Sequence, residues 1–176
     1  MKDNNEQTKR IITIGLFSGL AIVFSVFRIV IPGVCKISFD GPFYKFISIM
    51  FGSFYGAISA FLAETIGALL NQRGNYIPLF ALTAALRGFL VGAVWKFFNK
   101  NLNDKNKLLK LSTTLFVSDL SVCFLNSLII KFYLYQTKKF FLYSLFIRFG
   151  KEFLLVIINV VILMLMLSAY DKIIKK

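Results

Sequence analysis

Long apolar segments alternate with short polar stretches along the whole chain. Six segments are rich in Leu, Ile, Val, Phe, Ala and Gly, and the stretches between them hold most of the Lys, Asn, Gln and Pro residues. A helix needs about 20 predominantly apolar residues to cross a bilayer, so segments of this length predict transmembrane helices. We therefore expect an all-α, polytopic membrane protein with six transmembrane helices.

The six predicted helices differ in length. Their expected bounds are helix 1 Ile11–Ile31, helix 2 Phe43–Phe51, helix 3 Gly52–Leu70, helix 4 Pro78–Phe98, helix 5 Leu111–Tyr135 and helix 6 Phe140–Tyr170. Helix 2 is too short to cross a bilayer squarely, and we expect it to be nearly continuous with helix 3. Loop 1 joins helices 1 and 2 over residues 32–42, and loop 3 spans residues 71–76 before the proline that begins helix 4.

Composition and charge distribution support this topology. Of 176 residues, 57% are hydrophobic, which leaves almost no room for a part outside the membrane, so we expect a single transmembrane domain over residues 1–176. The net charge is +13, and basic residues gather at the N-terminus, in the linker at 99–110 and at the C-terminus. In a six-helix chain these lie on one side, so the positive-inside rule predicts cytoplasmic termini. The bilayer, and not nucleic acid, is the partner that this charge indicates.

The chain lacks the residue patterns of common enzymes. It has no histidine, and Cys35 and Cys123 do not form a metal or redox spacing. It also has no phosphate-binding glycine loop, zinc-protease motif or nucleophile elbow. We expect no catalytic residue, no metal and no cofactor, and any ATP that drives this protein would be hydrolysed by another subunit.

Charged residues inside the predicted helices are the strongest chemical signal. They are Arg28, Glu64, Arg87, Asp119, Lys131, Arg148, Lys151 and Glu152. Each costs roughly 2.5–3.5 kcal/mol at the centre of a bilayer, so each should pair, face a cavity or reach the membrane surface. Internal pairing is one interpretation, with Glu64 to Arg87 as the preferred pair and Arg148 to Glu152 as an i,i+4 pair. A pocket for an anionic small molecule is the other, because cations near one mouth exceed their acidic neighbours.

Several uncharged residues are candidates for the same mouth. Asn126 lies two turns after Asp119 on helix 5, so both can line one cavity. Loops 1 and 3 would bring Phe39, Tyr44, Tyr76 and Phe80 over the mouth, where flat rings can stack on an aromatic ligand. The alternative is that these rings are ordinary interfacial aromatics.

Small residues form a stripe on helix 1. Gly15, Ser18 and Gly19 lie on one face, and such a face lets another helix approach closely in a membrane. The neighbour is either a helix of the same chain or a helix of a partner subunit.

The run from Lys36 to Trp95 resembles the substrate-binding S components of energy-coupling factor (ECF) vitamin transporters, most of all the folate family. The similar motifs are Gly41-Pro42 at the end of loop 1, the segment MFGSFYGAISAFLAETIGALL, and the segment RGNYIPLFALTAALRGFLVGAVW. The chain departs from the family pattern at Ser53, Glu64, Leu79 and Arg87, where Pro, Asp, Gly and an apolar residue are usual. These departures bear on the ligand more than on the fold.

The resemblance implies a substrate-capture subunit in the plasma membrane of a bacterium. It would bind a vitamin on the outer side, under the ligand-covering loops 1 and 3, and dock on an ECF transmembrane scaffold subunit through Gly15, Ser18 and Gly19. Two cytoplasmic ATPases would drive uptake through that scaffold. Folate suits the residues, with its pterin on the aromatic side chains and its dicarboxylate on the cations. The expected substrate-binding residues are Arg28, Phe39, Tyr76, Phe80, Arg87, Asn126, Arg148 and Lys151.

Three other interpretations stay open. The first is an S component for another vitamin or precursor, such as pantothenate, niacin or a queuosine precursor. The second is a membrane enzyme that acts on lipid head groups, against which the missing histidine counts. The third is a structural membrane subunit without a ligand, which predicts that the charges at the mouth pair internally and that no cavity exists.

Overall fold

The computed structural model describes residues 2–31, 35–70, 77–101, 107–134 and 138–174. Over these residues the chain forms six helices and one two-stranded hairpin. In order they are α1 Lys2–Val26, β1 Ile29–Ile31, β2 Cys35–Ile37, α2 Gly41–Phe51, α3 Ser53–Leu70, α4 Pro78–Asn101, α5 Lys107–Leu134 and α6 Lys138–Ile174. The strands pair antiparallel, with Ile29 opposite Ile37 and Ile31 opposite Cys35.

Helix lengths confirm the predicted membrane fold. Within the described residues, five helices are long and apolar enough to cross a bilayer: α1, α3, α4, α5 and α6. The remaining helix, α2, has 11 residues, so it is about 16 Å long and reaches across only half of the hydrocarbon core. The chain is an all-α membrane protein with a short second helix, as the sequence predicts.

The chain folds back between α2 and α3. Gly52 stands between them with φ +105°, a conformation that side-chain-bearing residues rarely adopt. Ser48 on α2 then lies directly against Gly56 on α3, where an added Cβ would collide with the serine side chain. Two residues eight apart along one helix would be about 12 Å apart, so the prediction of nearly continuous helices 2 and 3 is wrong. Residues 41–70 form a helical hairpin.

Helix 1 ends earlier than predicted. The prediction extended it to Ile31, but α1 ends at Val26 and the β-branched run Ile29–Ile31 forms strand β1. β-Branched residues favour extended backbone when they have a strand to pair with, and here β2 supplies it. At its start α1 includes the polar residues from Lys2 onward, which hydropathy alone does not mark as helix.

Helix α2 lies in the centre of the bundle and contacts α1, α3, α4 and α6. Its Phe46 is fully buried and packs on Phe17 of α1 and on the ring of Tyr170 near the end of α6. Around it a core of aliphatic residues joins α4, α5 and α6, namely Val91, Leu111, Leu115, Val156, Val160, Leu163 and Leu167. A short helix that packs against four longer ones can place its side chains deep inside the protein.

The two ends of the bundle are distinct. We call the end that carries β1, β2 and the start of α2 the hairpin end, and the opposite end, where α4 finishes and α5 begins, the linker end. Arg10 of α1 donates a hydrogen bond to the carbonyl of Phe51 at 3.0 Å, which ties the last turn of α2 to α1 toward the linker end. The charged side chains described next lie toward the hairpin end and the middle of the bundle.

Candidate functional site

A first group of charges surrounds one carboxylate of α3, and we call it the Glu64 cluster. Arg28 Nη1 lies 3.2 Å and Lys36 Nζ 2.6 Å from the same oxygen, Glu64 Oε1. Arg28 also donates to the main-chain carbonyl of Glu64 at 3.3 Å. These contacts bring together the segment between α1 and β1, strand β2 and helix α3.

Lys36 connects this cluster to an aromatic ring. Its ammonium lies 5.5 Å from the centroid of the Phe80 ring on α4, within the range of a cation–π interaction. Burial lowers the pKa of Lys36 from its ordinary value, an effect that outweighs the opposing influence of the Glu64 carboxylate. About a third of this side chain is still exposed.

A second group, the Asp119 cluster, lies between four helices. Lys45 of α2 donates to Asp119 Oδ2 of α5 at 2.6 Å, and Lys151 of α6 donates to Glu152 Oε1 at 2.9 Å. Arg87 of α4 stands between the two carboxylates, with Nε 3.6 Å from Asp119 Oδ1 and Nη2 3.6 Å from Glu152 Oε1.

The two clusters are connected. Lys151 Nζ donates to the main-chain carbonyl of Lys36 at 3.0 Å, so α6 holds strand β2 and, through it, the Glu64 cluster. One set of charges therefore extends from the hairpin to the middle of α5. This arrangement brings together four of the predicted residues: Arg28, Phe80, Arg87 and Lys151.

Positive charge exceeds negative charge in this region. Among the buried and partly buried side chains that the structure describes at the hairpin end and in the Asp119 cluster, the cations are Arg28, Lys36, Lys45, Arg87, Arg148 and Lys151, and the carboxylates are Asp40, Glu64, Asp119 and Glu152. Six cations against four carboxylates leave an excess of two positive charges. An anion with two negative charges would neutralise it.

The predicted pairing of Glu64 with Arg87 is wrong. Glu64 instead binds Arg28 and Lys36, and Arg87 lies against Asp119 and Glu152. The chain segment from α1 to β2 carries both cations over the end of α3. Arg87 is one helix further along, where its side chain turns toward α5 and α6.

Lys45 is a member of the site that sequence reasoning missed. Its side chain is 1% exposed, as is that of Asp119. A signal was present, because Lys45 is the one charge in the apolar segment GPFYKFISIMF that forms α2. A lone lysine in such a segment requires a buried partner.

The other predicted residues are distributed around this set. Asn126 Oδ1 accepts a 2.6 Å hydrogen bond from Thr83, one turn before Arg87 on α4. Arg148 is buried on α6, and the Phe39 side chain is 48% exposed after β2. Tyr76 and the whole of loop 3 lie outside the described residues.

The predicted docking stripe on α1 faces open space. A Cβ added at Gly15 or Gly19 would meet no atom within 4 Å, whereas one at Gly67 would collide with Ser25 and Arg28. Ser18, the third residue of the stripe, is partly exposed. Of the two interpretations of this stripe, close packing within the chain does not apply to its glycines, whose face is available to another molecule.

Comparison with known proteins agrees with this architecture. The family profile described as "ECF transporter, substrate-specific component" matches residues 9–167. Among solved structures, the crystal structure of FolT bound with folic acid superposes with a TM-score of 0.69 at 22% identity, covering 89% of this chain and 90% of that one. No curated protein sequence matches the chain significantly. The family match extends over most of the chain, well past the segment that carried the resemblance, and the chain belongs to the substrate-specific components of ECF transporters.

Proposed function

We propose that this chain captures folate, or a related anionic pterin, for import across the bacterial plasma membrane. The single observation that carries this proposal is the excess of two positive charges at the hairpin end of a substrate-specific component. Folate has two tail carboxylates, so its charge matches the excess. Arginine is suited to such a tail because its planar guanidinium binds carboxylates in a bidentate manner.

Aromatic residues at the same end suit the other half of folate. Phe39 is exposed beside the hairpin and Phe80 lies under the Lys36 ammonium, so two rings border the charged region. A flat pterin ring can stack on such side chains. The structure similar to this chain contains folic acid, which also supports the proposal.

The orientation and the partners belong to the same proposal. The hairpin end faces outward, both termini face the cytoplasm, and the open face at Gly15, Ser18 and Gly19 docks on the transmembrane scaffold subunit. Two ATPases act through that scaffold to drive release inside. The basic residues of the linker at 99–110 and of both termini support this orientation through the positive-inside rule.

Isothermal titration of the detergent-purified chain with folate tests the proposal directly, followed by pantothenate, niacin and a queuosine precursor. We expect folate to bind the chain alone. Arg28→Ala and Arg148→Ala should each lower the affinity for folate. Lys96→Ala should not, because Lys96 is exposed and lies near the linker end. Tight binding of another vitamin with no binding of folate would reassign the ligand.

A structural subunit without a ligand is the second candidate. One observation favours it, since Arg28, Arg87 and Lys151 each lie near a carboxylate of the same chain, as that interpretation predicts. The excess of cations opposes it, because complete internal pairing would leave no net charge. A folded, monodisperse chain that binds no member of the panel would favour the structural role or a ligand outside the panel.

A further inference from the structure

Lys45 occupies a costly position. It is a lysine in the centre of the bundle, 1% exposed, with a 2.6 Å hydrogen bond to a carboxylate that is equally buried. A buried ion pair often contributes no more stability than well-packed apolar residues of similar size. The pair with Asp119 therefore calls for an explanation other than stability.

The surroundings of Arg87 supply one. Lys45 donates a hydrogen bond to Asp119 Oδ2, and Lys151 donates one to Glu152 Oε1. Each carboxylate beside the guanidinium therefore already has a lysine partner. The contacts of Arg87 with these carboxylates are both 3.6 Å, longer than a hydrogen bond. Within the described part of the chain, Arg87 Nε and Asp119 Oδ1 have no hydrogen-bond partner.

Because each carboxylate also has a lysine partner, the two carboxylates do not neutralise all of the positive charge around Arg87. The Asp119 cluster holds Lys45, Arg87 and Lys151 against Asp119 and Glu152, for a net charge of +1. The Arg87 side chain is 20% exposed, and those of Lys45 and Asp119 are 1% exposed. Of these three, Arg87 is the most accessible.

We propose that Lys45 is a positioning residue that sets the charge selectivity of the site. By holding Asp119 through Oδ2 it keeps the other oxygen, Oδ1, 3.6 Å from Arg87 Nε, too far for a hydrogen bond, so Arg87 stays available for an anionic group of the ligand. Without Lys45, Asp119 would move the short distance to Arg87, and the cluster would become neutral. The inference rests on the proposed function to the extent that the ligand is an anion.

The test compares folate with its uncharged dimethyl ester on purified Lys45→Met, Asp119→Asn and Lys45→Met/Asp119→Asn variants. The ratio of the two affinities measures charge recognition, and general damage to the fold changes both affinities and leaves the ratio unaltered. We expect Lys45→Met to lower the affinity for folate about 10- to 100-fold, the equivalent of one charge-assisted hydrogen bond. The affinity for the dimethyl ester should change little.

The double variant separates positioning from loss of charge alone. Removing both members of the pair restores the net charge of the cluster and eliminates the competitor of Arg87. We therefore expect Lys45→Met/Asp119→Asn to regain the folate affinity and the folate-to-ester ratio of the wild-type chain. If Lys45→Met alone does not fold, the double variant still allows the folate-to-ester ratio to be measured. Lys96→Met is the matched control for replacing a lysine, because Lys96 is exposed.

Two results would overturn the inference: an unchanged ratio in Lys45→Met, or a double variant whose folate affinity stays more than about tenfold below that of the wild-type chain. If the wild-type chain does not bind folate but binds another anion of the panel, the folate assignment fails. The affinities of the same variants are then measured for that anion. If the chain binds neutral ligands only, both proposals fail.

Discussion

Glu64 holds two cations on one carboxylate oxygen, with Arg28 and Lys36 both within 3.2 Å. Glu64→Gln keeps the size of the side chain and removes its charge, which leaves the buried Arg28 and the partly exposed Lys36 facing each other. Breaking a buried ion pair on one side costs about 3–5 kcal/mol, and we expect a loss of that order in the free energy of unfolding. Thermal or denaturant unfolding in detergent measures it.

A matched control separates burial from net charge. Lys96→Gln also changes the charge by one, but this side chain is exposed, so its effect should stay within about 0.5 kcal/mol. Equal stability of Glu64→Gln and the wild-type chain would show that Arg28 and Lys36 do not depend on this carboxylate.

The sequence predicted most of the charged residues of the site but not their pairing. Arg28, Arg87 and Lys151 stood out because charges are costly in apolar helices. Which of them meet depends on the direction that α2 takes after β2, and hydropathy carries no such information. Helix α2 lies inside the bundle and does not continue straight into α3, so its Lys45 can contact Asp119 on α5.

At the scale of elements, the small residues divide into close-packed and open ones. Gly92 on α4 lies so close to the start of α3 that an added Cβ would be 2.6 Å from Ser53 Cα, a main-chain atom that cannot swing away. We expect Gly92→Ala to destabilise the chain by about 1–3 kcal/mol through overpacking of α3 against α4. Unfolding in detergent is the measurement.

Gly150 on α6 is the control for this change. It has nothing within 4 Å of an added Cβ, so Gly150→Ala should be neutral or should stabilise the helix by up to about 1 kcal/mol. If both variants lost the same stability, the contact of α3 with α4 would not be as close as the backbone indicates.

The predicted elements were correct where long apolar runs define them and incorrect where the chain turns. Helices α4, α5 and α6 begin or end within a few residues of expectation, because apolar length and Pro78 define them. The hairpin β1–β2 was predicted as the end of helix 1 and a loop. A run such as Ile29–Ile31 suits a helix or a strand equally, and only the pairing with β2 decides.

For the whole molecule, the charge distribution predicts which end faces outward. Phe39 lies exposed beside the hairpin, and Asn99 lies exposed in the last turn of α4 at the linker end. In a Cys35→Ser/Cys123→Ser background, we expect a membrane-impermeant maleimide to label Phe39→Cys in intact cells. Asn99→Cys should react only after permeabilisation. The reverse pattern would place the termini outside and would contradict the positive-inside argument.

The open face of α1 predicts a separation between binding and transport. Gly15→Leu/Gly19→Leu introduces bulk where an added Cβ meets no atom of the chain, so folding and folate affinity of the purified subunit should not change. A partner helix that approaches these glycines closely would be displaced. We expect folate uptake by cells carrying the complete transporter to fall about tenfold or more, the equivalent of about 1.4 kcal/mol of docking free energy.

Gly150→Leu is the matched control, because this glycine is equally open but lies on α6. It should leave both titration and uptake as in the wild-type chain. If Gly15→Leu/Gly19→Leu left uptake unchanged, the scaffold subunit would have to dock elsewhere. If it weakened folate binding by the purified chain, α1 would contribute to the ligand site, and capture and docking would share one face of the molecule. If the ligand site and the docking face are separate, Gly15→Leu/Gly19→Leu should lower uptake by cells and leave folate binding by the purified chain unchanged.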